Sequence, residues 1–251
     1  MSSLITRRDL LSGLGLTVIA GGTAGLIFSP PFRDLVLGTG EKLSYQTHRL
    51  IGRNALAPEF TEADLSPDFR TNGNTMPASP AFQAHAASGF VNWKLQVDGL
   101  VASPQTFTLA EIKAMPARTQ ITRHDCVEGW SAIGKWTGLP LATLLAQATL
   151  LPTARYLVLH CADDFDGQAY YESIDLVDAF HPQTILAYAM NDQSLSVGHG
   201  APLRLRVERQ LGYKQAKYIM RIEAVASLDG TGLGKGGFWE DQIGYDWYAG
   251  I

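Results

Sequence analysis

Cysteine is scarce in this chain: among 251 residues, only Cys126 and Cys161 carry a thiol. Neither belongs to a CxxC pair, and the CxxCH sequence that attaches c-type haem is also missing. Structural zinc and iron–sulfur clusters need several protein ligands at short spacings, so the sequence argues against both. A metal held by either thiol would therefore need most of its ligands from an organic cofactor.

The chain also lacks an excess of positive charge. Its formal net charge is −4 and charged residues make up 18% of it, so we expect neither nucleic acid nor an anionic membrane surface as a partner. We find no internal repeat and no low-complexity tract. The length and the hydrophobic content of 46% are those of an ordinary globular protein with one domain or two small ones.

The first 28 residues have the character of a targeting segment. The pair Arg7-Arg8 precedes an uncharged, glycine-rich stretch from Leu10 to Phe28, which predicts a twin-arginine export signal over residues 1–28. Whether it is cleaved or kept as a membrane anchor stays open, because residues 22–24 form only a weak cleavage site. Either alternative predicts a periplasmic protein. This route carries folded proteins, which suits a cofactor inserted before export.

The frequency of turn-forming residues divides the remaining chain into two parts. Residues 29–80 are rich in Pro, Asn and Asp, which predicts an extended arm of loops and turns. Residues 81–251 are more regular, and we expect them to form the catalytic domain. The capping-box pattern Thr108–Glu111 opens a short helix that Pro116 ends, and a second helix is predicted at 140–148.

Apolar and polar residues alternate in several short segments of this domain, as they do in half-buried strands. Short strands, few helices and many turns predict an α+β fold with mixed β-sheets. The predicted strands lie at 93–97, 121–126, 156–159, 185–190, 203–207 and 219–225.

Cys126 has basic neighbours in the sequence, namely Arg123, His124 and, further on, Lys135. Cationic groups lower the pKa of a thiol, so we expect a sulfur that is ready to bind a soft metal. An alternative remains, because two cysteines in an exported chain could form a disulfide between residues 126 and 161.

Three further segments have the composition of an anion-binding pocket: residues 69–73, 199–204 and 212–217. Arg204 offers a guanidinium fork, and the last segment offers two lysines and backbone N–H donors at a turn. Each has an ordinary alternative. The turn at 212–217 could be an ordinary hairpin turn, and the strand that carries Arg204 could be a solvent-exposed face. His124 could be a structural residue that only forms hydrogen bonds.

Together, however, the motifs resemble the sulfite-oxidase family of molybdopterin enzymes. They occur in that family's order, from Phe69 to the C-terminus. The closest match is to the compact periplasmic members, including the catalytic subunits of protein-methionine-sulfoxide reductases. The matching motifs are the arm Asn72, Cys126-Val-Glu-Gly-Trp-Ser, Trp136-x-Gly-x-Pro-Leu, Gly200-Ala-Pro-x-Arg and Gly212-Tyr-Lys-x-x-Lys.

The resemblance implies a molybdenum–molybdopterin cofactor whose only protein ligand to the metal is Cys126. It also implies a sulfite-oxidase-type fold, and we expect a monomer without a C-terminal dimerisation domain. His199 stands where the reductases carry Asn, and Cys161 where they carry Thr. The predicted cofactor-binding residues are Asn72, Arg123, His124, Cys161, His199, Arg204, Gln215, Ala216 and Lys217.

The leading functional hypothesis is oxygen-atom transfer on a small oxo-compound, with electrons exchanged with a membrane haem protein or a cytochrome c. The alternatives are a protein-methionine-sulfoxide reductase subunit, a non-catalytic cofactor carrier, and a metal-free binding module in which the two cysteines pair. Candidates for a substrate wall, which could equally be core residues, are Trp130, Trp239, Tyr245 and Trp247.

Overall fold

The computed structural model describes residues 29–251. The predicted export signal lies outside the described residues. The described residues divide into two units, 29–52 and Arg53–Ile251. Within residues 29–251, no helix combines the length and the apolar character that a membrane crossing requires.

The described part of the first unit is a single helix, α1 (Pro30–Ile51). The predicted extended arm is therefore wrong for these residues. Pro30 and Pro31 suggested a loop, but they occupy the first positions of the helix, where a proline has no N–H bond to lose. His48 and Arg49 in the last turn complement the helix dipole.

The second unit begins with a segment of little regular structure up to Ser79, containing one 3₁₀ turn (Glu62–Asp64) and a bridge between Glu59 and Thr122. Ten strands and five further helices follow. The helices are α2 (Pro80–Ala87), α3 (Leu109–Ala114), α4 (Leu141–Ala148), α5 (Leu176–Ala179) and α6 (Phe238–Ile243), and a second 3₁₀ turn spans Gly212–Lys214.

The described strands build two sheets. The first has the order β2-β1-β10-β5-β6, in which β1 and β10 run parallel and the other pairs run antiparallel. Its strands are β1 (Lys94–Gly99), β2 (Gln105–Thr108), β5 (Tyr156–Phe165), β6 (Gln168–Asp175) and β10 (Ile219–Val225).

The second sheet is antiparallel throughout, with the order β3-β4-β7-β8 and with β9 paired to β7. One mixed sheet, one antiparallel sheet and short helices confirm the predicted α+β class. The strands of the second sheet are β3 (Arg118–Cys126), β4 (Trp130–Pro140), β7 (Ile185–Met190), β8 (Gln193–Ser194) and β9 (Arg204–Arg206).

Local sequence explains several of these elements. Alternating burial along β1 places Leu95 and Val97 in the core, as the pattern predicted. Thr108 and Glu111 form the predicted capping box at the start of α3. Asn191 and Asp192 both adopt positive φ in the turn after β7, a conformation that these residue types tolerate.

Candidate active site

A cleft of about 200 Å³ opens where five separate segments of the second unit meet. The segments are the irregular stretch before α2, the β3–β4 turn, the β5–β6 hairpin, the second 3₁₀ turn and the C-terminal region. The lining residues are Asn72, Gly73, Cys126, Val127, Glu128, Asp163, Phe165, Tyr170, Gly212, Tyr213, Gln215, Lys217, Trp239, Ile243 and Tyr245.

Cys126 is the last residue of β3 and faces Trp130 across the strand pair. The N–H of Gly129 donates to the carbonyl of Cys126 at 3.1 Å, and Gly129 takes φ 84°, so a tight turn ends the strand at this point. The strand end therefore delivers the thiol to the cleft.

The electrostatics around this thiol differ from the sequence expectation. Burial raises the pKa of Cys126, and the Glu128 carboxylate adds to the effect, against a lowering by Arg204. Lys135 is engaged elsewhere, with Glu62 at 2.5 Å and Asp192 at 2.9 Å. The expectation that the sequence neighbours lower this pKa is wrong, because a residue near in sequence on a strand can face away. A bound metal would itself deprotonate the thiol.

Arg123 shows the same effect of strand alternation. Its side chain is 56% exposed and donates to Asp125 at 2.9 Å, whereas His124 on the opposite face is fully buried. The structure thus places Arg123 outside the cleft.

Both cysteines are free, which contradicts the disulfide alternative. The Cys161 thiol donates to the Leu159 carbonyl at 3.8 Å, and burial together with Asp163 raises its pKa well above the usual range. Cys161 does not line the cleft. It behaves as a neutral, inert thiol next to the site.

His124 is held in one tautomer by a buried network. The Arg206 guanidinium donates from Nη1 to Nδ1 of His124 at 3.0 Å, and it binds Glu208 through two contacts of 3.0 and 2.6 Å. Because an arginine can only donate, Nδ1 accepts and the ring proton lies on Nε2. Burial, Arg206 and Arg204 lower the pKa of His124 well below its usual range, so the ring is neutral.

Nε of Arg204, behind the cleft wall, is buried without a hydrogen-bond partner. The side chains of His124 and Gln215 interact with each other, which acts against the lowering of the His124 pKa. Because buried polar groups are normally satisfied, the Arg204 guanidinium is the group that an anionic ligand would complete. A Cβ on Gly212 would lie 2.6 Å from Nε2 of His124. Only glycine leaves room there for the imidazole and a ligand.

Arg204 lies fully buried behind the cleft wall. It donates from Nη1 to the His199 carbonyl at 3.0 Å and packs over the Trp136 ring at 5.1 Å. Burial and the neighbouring Arg206 lower its pKa to about 9. The alternating strand is therefore not a solvated face, and an anion nearby would relieve the repulsion between two buried guanidinium groups.

Lys217 lines the cleft, but its ammonium is bound to the chain. It donates to the carbonyls of Asn72 and Asn74, each at 2.6 Å, and of Gly198 at 3.1 Å. Burial and Arg204 lower the pKa of Lys217 to about 7. Its contacts fasten residues 72–74 to the rest of the site.

His199 also fastens this segment. Its Nε2–H donates to the Phe69 carbonyl at 2.9 Å, while Nδ1 accepts from the Ser196 hydroxyl at 2.8 Å. Burial lowers the pKa of His199. Its polar atoms are thus both used within the chain, and it does not line the cleft.

The structure brings four of the predicted site residues into the cleft lining: Asn72, Cys126, Gln215 and Lys217. Sequence reasoning assigned no individual role to several other lining residues. Val127, Glu128, Gly212 and Tyr213 belong to the quoted motifs, whereas Asp163, Phe165 and Tyr170 come from a segment without one. The predicted residues that lie outside the lining are Arg123, His124, Cys161, His199, Arg204 and Ala216.

The lining residues that the sequence analysis did not name as site residues include two with carboxyl groups. Glu128 accepts from the Trp130 indole at 3.0 Å, and Asp163 accepts from the Asn74 amide at 2.9 Å. Burial raises the pKa of Asp163. Of the predicted substrate wall, Trp239 and Tyr245 line the cleft, whereas the other two candidates do not.

A thiol in a deep cleft, with an unpaired buried donor beside it, fits a metal cofactor enzyme. The chain belongs to the family of the oxidoreductase molybdopterin binding domain, which matches residues 82–230. It is therefore an oxidoreductase that uses a molybdopterin-bound molybdenum cofactor, as the resemblance predicted.

Two curated relatives are similar to the chain. A putative protein-methionine-sulfoxide reductase subunit YedZ1 of Azospira oryzae is 37% identical over 96% of this chain and 82% of its own length. The protein-methionine-sulfoxide reductase catalytic subunit MsrP of Ralstonia nicotianae is 35% identical over 53% of this chain and 44% of its own length.

The fold is also similar to a solved structure, the sulfane dehydrogenase SoxCD of Paracoccus pantotrophus. The TM-score is 0.51 at 23% identity, with 55% of this chain and 39% of that chain covered. At this identity the likeness supports the predicted fold alone.

The residues present fit the cofactor. Among residues 29–251, no group of three or more His, Cys, Asp or Glu side chains is placed to hold a metal ion. Cys126 would be the single soft protein ligand in this cleft, and the unpartnered Nε of Arg204 is available to an anionic organic group.

Proposed function

We propose that this protein is the catalytic subunit of a reductase acting on methionine sulfoxide in proteins. The observation that carries the proposal is the 37% identity, over 96% of the chain, to a putative protein-methionine-sulfoxide reductase subunit. The sequence-based preference for a small sulfite-like oxo-compound has no support among these relatives. The cleft is compatible with the reductase, since Cys126 and five aromatic residues line the same cleft.

Reduction of a sulfoxide to a thioether consumes two electrons and two protons and releases water. The molybdenum cofactor, when bound, supplies the two-electron redox change, and Cys126 is its protein ligand. Asn72, Gln215 and Lys217 line the place for the cofactor, with Arg204 and His124 behind it.

The chain itself offers protons through two carboxyl groups in the cleft. Asp163 is the better donor candidate, because burial raises its pKa toward the range in which a carboxyl group keeps its proton. Glu128 lies nearer to Cys126 in the sequence and is fixed by the Trp130 indole.

We further propose a periplasmic location and a haem protein as electron donor, either a membrane cytochrome or a soluble cytochrome c. The chain has no CxxCH sequence of its own, so a separate redox protein must deliver the electrons.

The test is a substrate comparison with protein purified from a molybdenum-replete host. Reduced viologen serves as donor, and the substrates are an oxidised unfolded protein, free methionine sulfoxide and an N-oxide, with sulfite oxidation followed by cytochrome c. We expect the largest kcat/KM on the oxidised protein and none in Cys126→Ser. Faster sulfite oxidation than sulfoxide reduction would contradict the proposal, and molybdenum-loaded protein without any turnover would indicate a carrier.

A further inference from the structure

Two of the five aromatic residues that line the cleft come from a segment beyond the family-wide domain. The family match ends at residue 230, while Trp239, Ile243 and Tyr245 all line the cleft. Residues 231–251 therefore contribute part of the cleft wall, and Phe165, Tyr170 and Tyr213 contribute its other aromatic side chains.

A glycine-rich run joins this segment to the sheet. Five of the eight residues 230–237 are glycine, and Gly232, Gly234 and Gly236 adopt positive φ. Such a flexible linker does not by itself fix the orientation of the helix that follows it. The position of helix α6 must therefore be set by contacts made after the run.

The first of these contacts is a buried ion triad. The Lys214 ammonium lies 2.6 Å from Glu172 of β6 and 2.5 Å from Glu240 of α6, and all three side chains are fully buried. Glu240 is the neighbour of Trp239, and Lys214 lies between two lining residues of the 3₁₀ turn. The triad thus links α6 directly to the cleft.

The second contact ties the same helix to β6. The Tyr171 hydroxyl donates to Asp241 at 2.5 Å, and the carboxylate of Asp241 also accepts from the backbone N–H groups of Leu233 at 2.8 Å and Lys235 at 3.1 Å. One carboxylate therefore orders the glycine-rich run and attaches the helix that follows it.

Buried ion triads seldom add net stability, because the desolvation of each charge offsets the attraction between them. Their better-attested effect is to specify one arrangement. In this protein the triad would fix the position of the aromatic residues contributed by the C-terminal segment. The ring centroids of Tyr213 and Tyr245 lie 4.9 Å apart, and those of Trp239 and Phe165 lie 5.1 Å apart.

We propose that residues 231–251 form a substrate-specificity element, which Lys214 and Tyr171 clamp in place so that Trp239 and Tyr245 receive the sulfur-containing side chain. This inference rests on the proposed function. Polarisable sulfur groups pack favourably against aromatic rings, which makes a methionine-derived side chain on a polypeptide the fitting ligand class.

The kinetic test compares two aromatic-to-alanine variants of the molybdenum-loaded enzyme. Trp239→Ala removes part of the wall, whereas the control Phe180→Ala alters an exposed ring outside both the lining and residues 231–251. With oxidised unfolded protein as substrate, we expect KM to rise at least about 10-fold in Trp239→Ala with kcat within about 2-fold, and no change in the control. Equal effects of both variants, or a loss confined to kcat, would overturn the wall assignment.

The clamp is tested by hydrogen exchange of the same loaded enzyme, which needs no turnover. Lys214→Met should accelerate exchange in residues 238–249 at least about 10-fold and leave β1 and β5 unchanged. If that variant does not fold, Tyr171→Phe provides a milder change that keeps the ring and should accelerate exchange in residues 233–243 alone.

The two failures can be told apart. If the wild-type enzyme reduces no sulfoxide, the proposed function fails, and the clamp is then judged on exchange alone. Unchanged exchange in both clamp variants would overturn the clamp even if sulfoxide reduction is intact.

Discussion

The Lys217 ammonium lies 2.6 Å from the backbone carbonyl of Asn72 and so joins two residues 145 positions apart in the sequence. Both line the cleft. Lys217 therefore has a structural role in addition to its expected contact with the cofactor, because it holds the loop that carries Asn72 against the site.

Cys126→Ser and Cys161→Ser form a matched pair of thiol deletions. We expect the first to lose nearly all bound molybdenum, because it removes the proposed protein ligand of the metal. The second should keep about one molybdenum per chain, because Cys161 lies outside the cleft lining. Metal analysis of both purified variants measures this. Full molybdenum in Cys126→Ser would refute the ligand assignment.

Lys217 predicts a pH dependence of the cofactor-free protein. Burial and Arg204 lower its pKa from 10.5 to about 7, so its three carbonyl contacts belong to the protonated form present below that pH, and between these values the unfolded chain binds a proton that the folded chain does not. Stability contributed at this residue therefore rises with pH, by at most about 1.4 kcal/mol per unit.

Chemical denaturation from pH 7 to 9 checks this against Lys217→Met. The unfolding free energy of the wild type minus that of the variant should increase with pH, and other titrating groups cancel in the difference. A flat or falling difference would show that the ammonium stays charged in the fold.

Gly212→Ala should reduce cofactor loading several-fold. The new Cβ would lie 2.6 Å from Nε2 of His124 and would displace the ring from its place beside the cleft. Gly230→Ala is the control, since a Cβ there meets nothing within 4 Å. Molybdenum per chain and the thermal midpoint of both variants give the result; equal loading would mean that His124 is not needed for retention.

The ion triad predicts unequal effects of two substitutions. Burial, together with Glu240, raises the pKa of Glu172 well above its usual range, so of the two carboxylates in the triad Glu172 should better tolerate the loss of its charge, and Glu172→Gln should cost under about 1 kcal/mol. Lys214→Met leaves Glu240 buried without a cation, which should cost about 3–5 kcal/mol. Urea denaturation of both proteins provides the comparison. A large loss in Glu172→Gln alone would mean that both carboxyl groups are ionised.

Local patterns predicted the elements whose causes are local. The capping box at Thr108 and the alternation through Leu95 and Val97 depend on neighbours within a few residues, and the structure confirms both. The strand β4 was missed, because Gly134 and Gly138 interrupt its apolar pattern, although Gly138 is required where a Cβ would meet the Leu186 carbonyl at 2.3 Å.

By itself, the sequence determined the family, because ordered motifs survive as strings of residues whatever surrounds them, and it predicts Cys126 as the metal ligand. Only the tertiary structure decided the environment of those motifs. It buried Arg204, directed Arg123 to solvent and paired Lys214 with two distant glutamates. Burial and long-range electrostatics depend on which segments meet, and neighbouring residues in a chain do not record that.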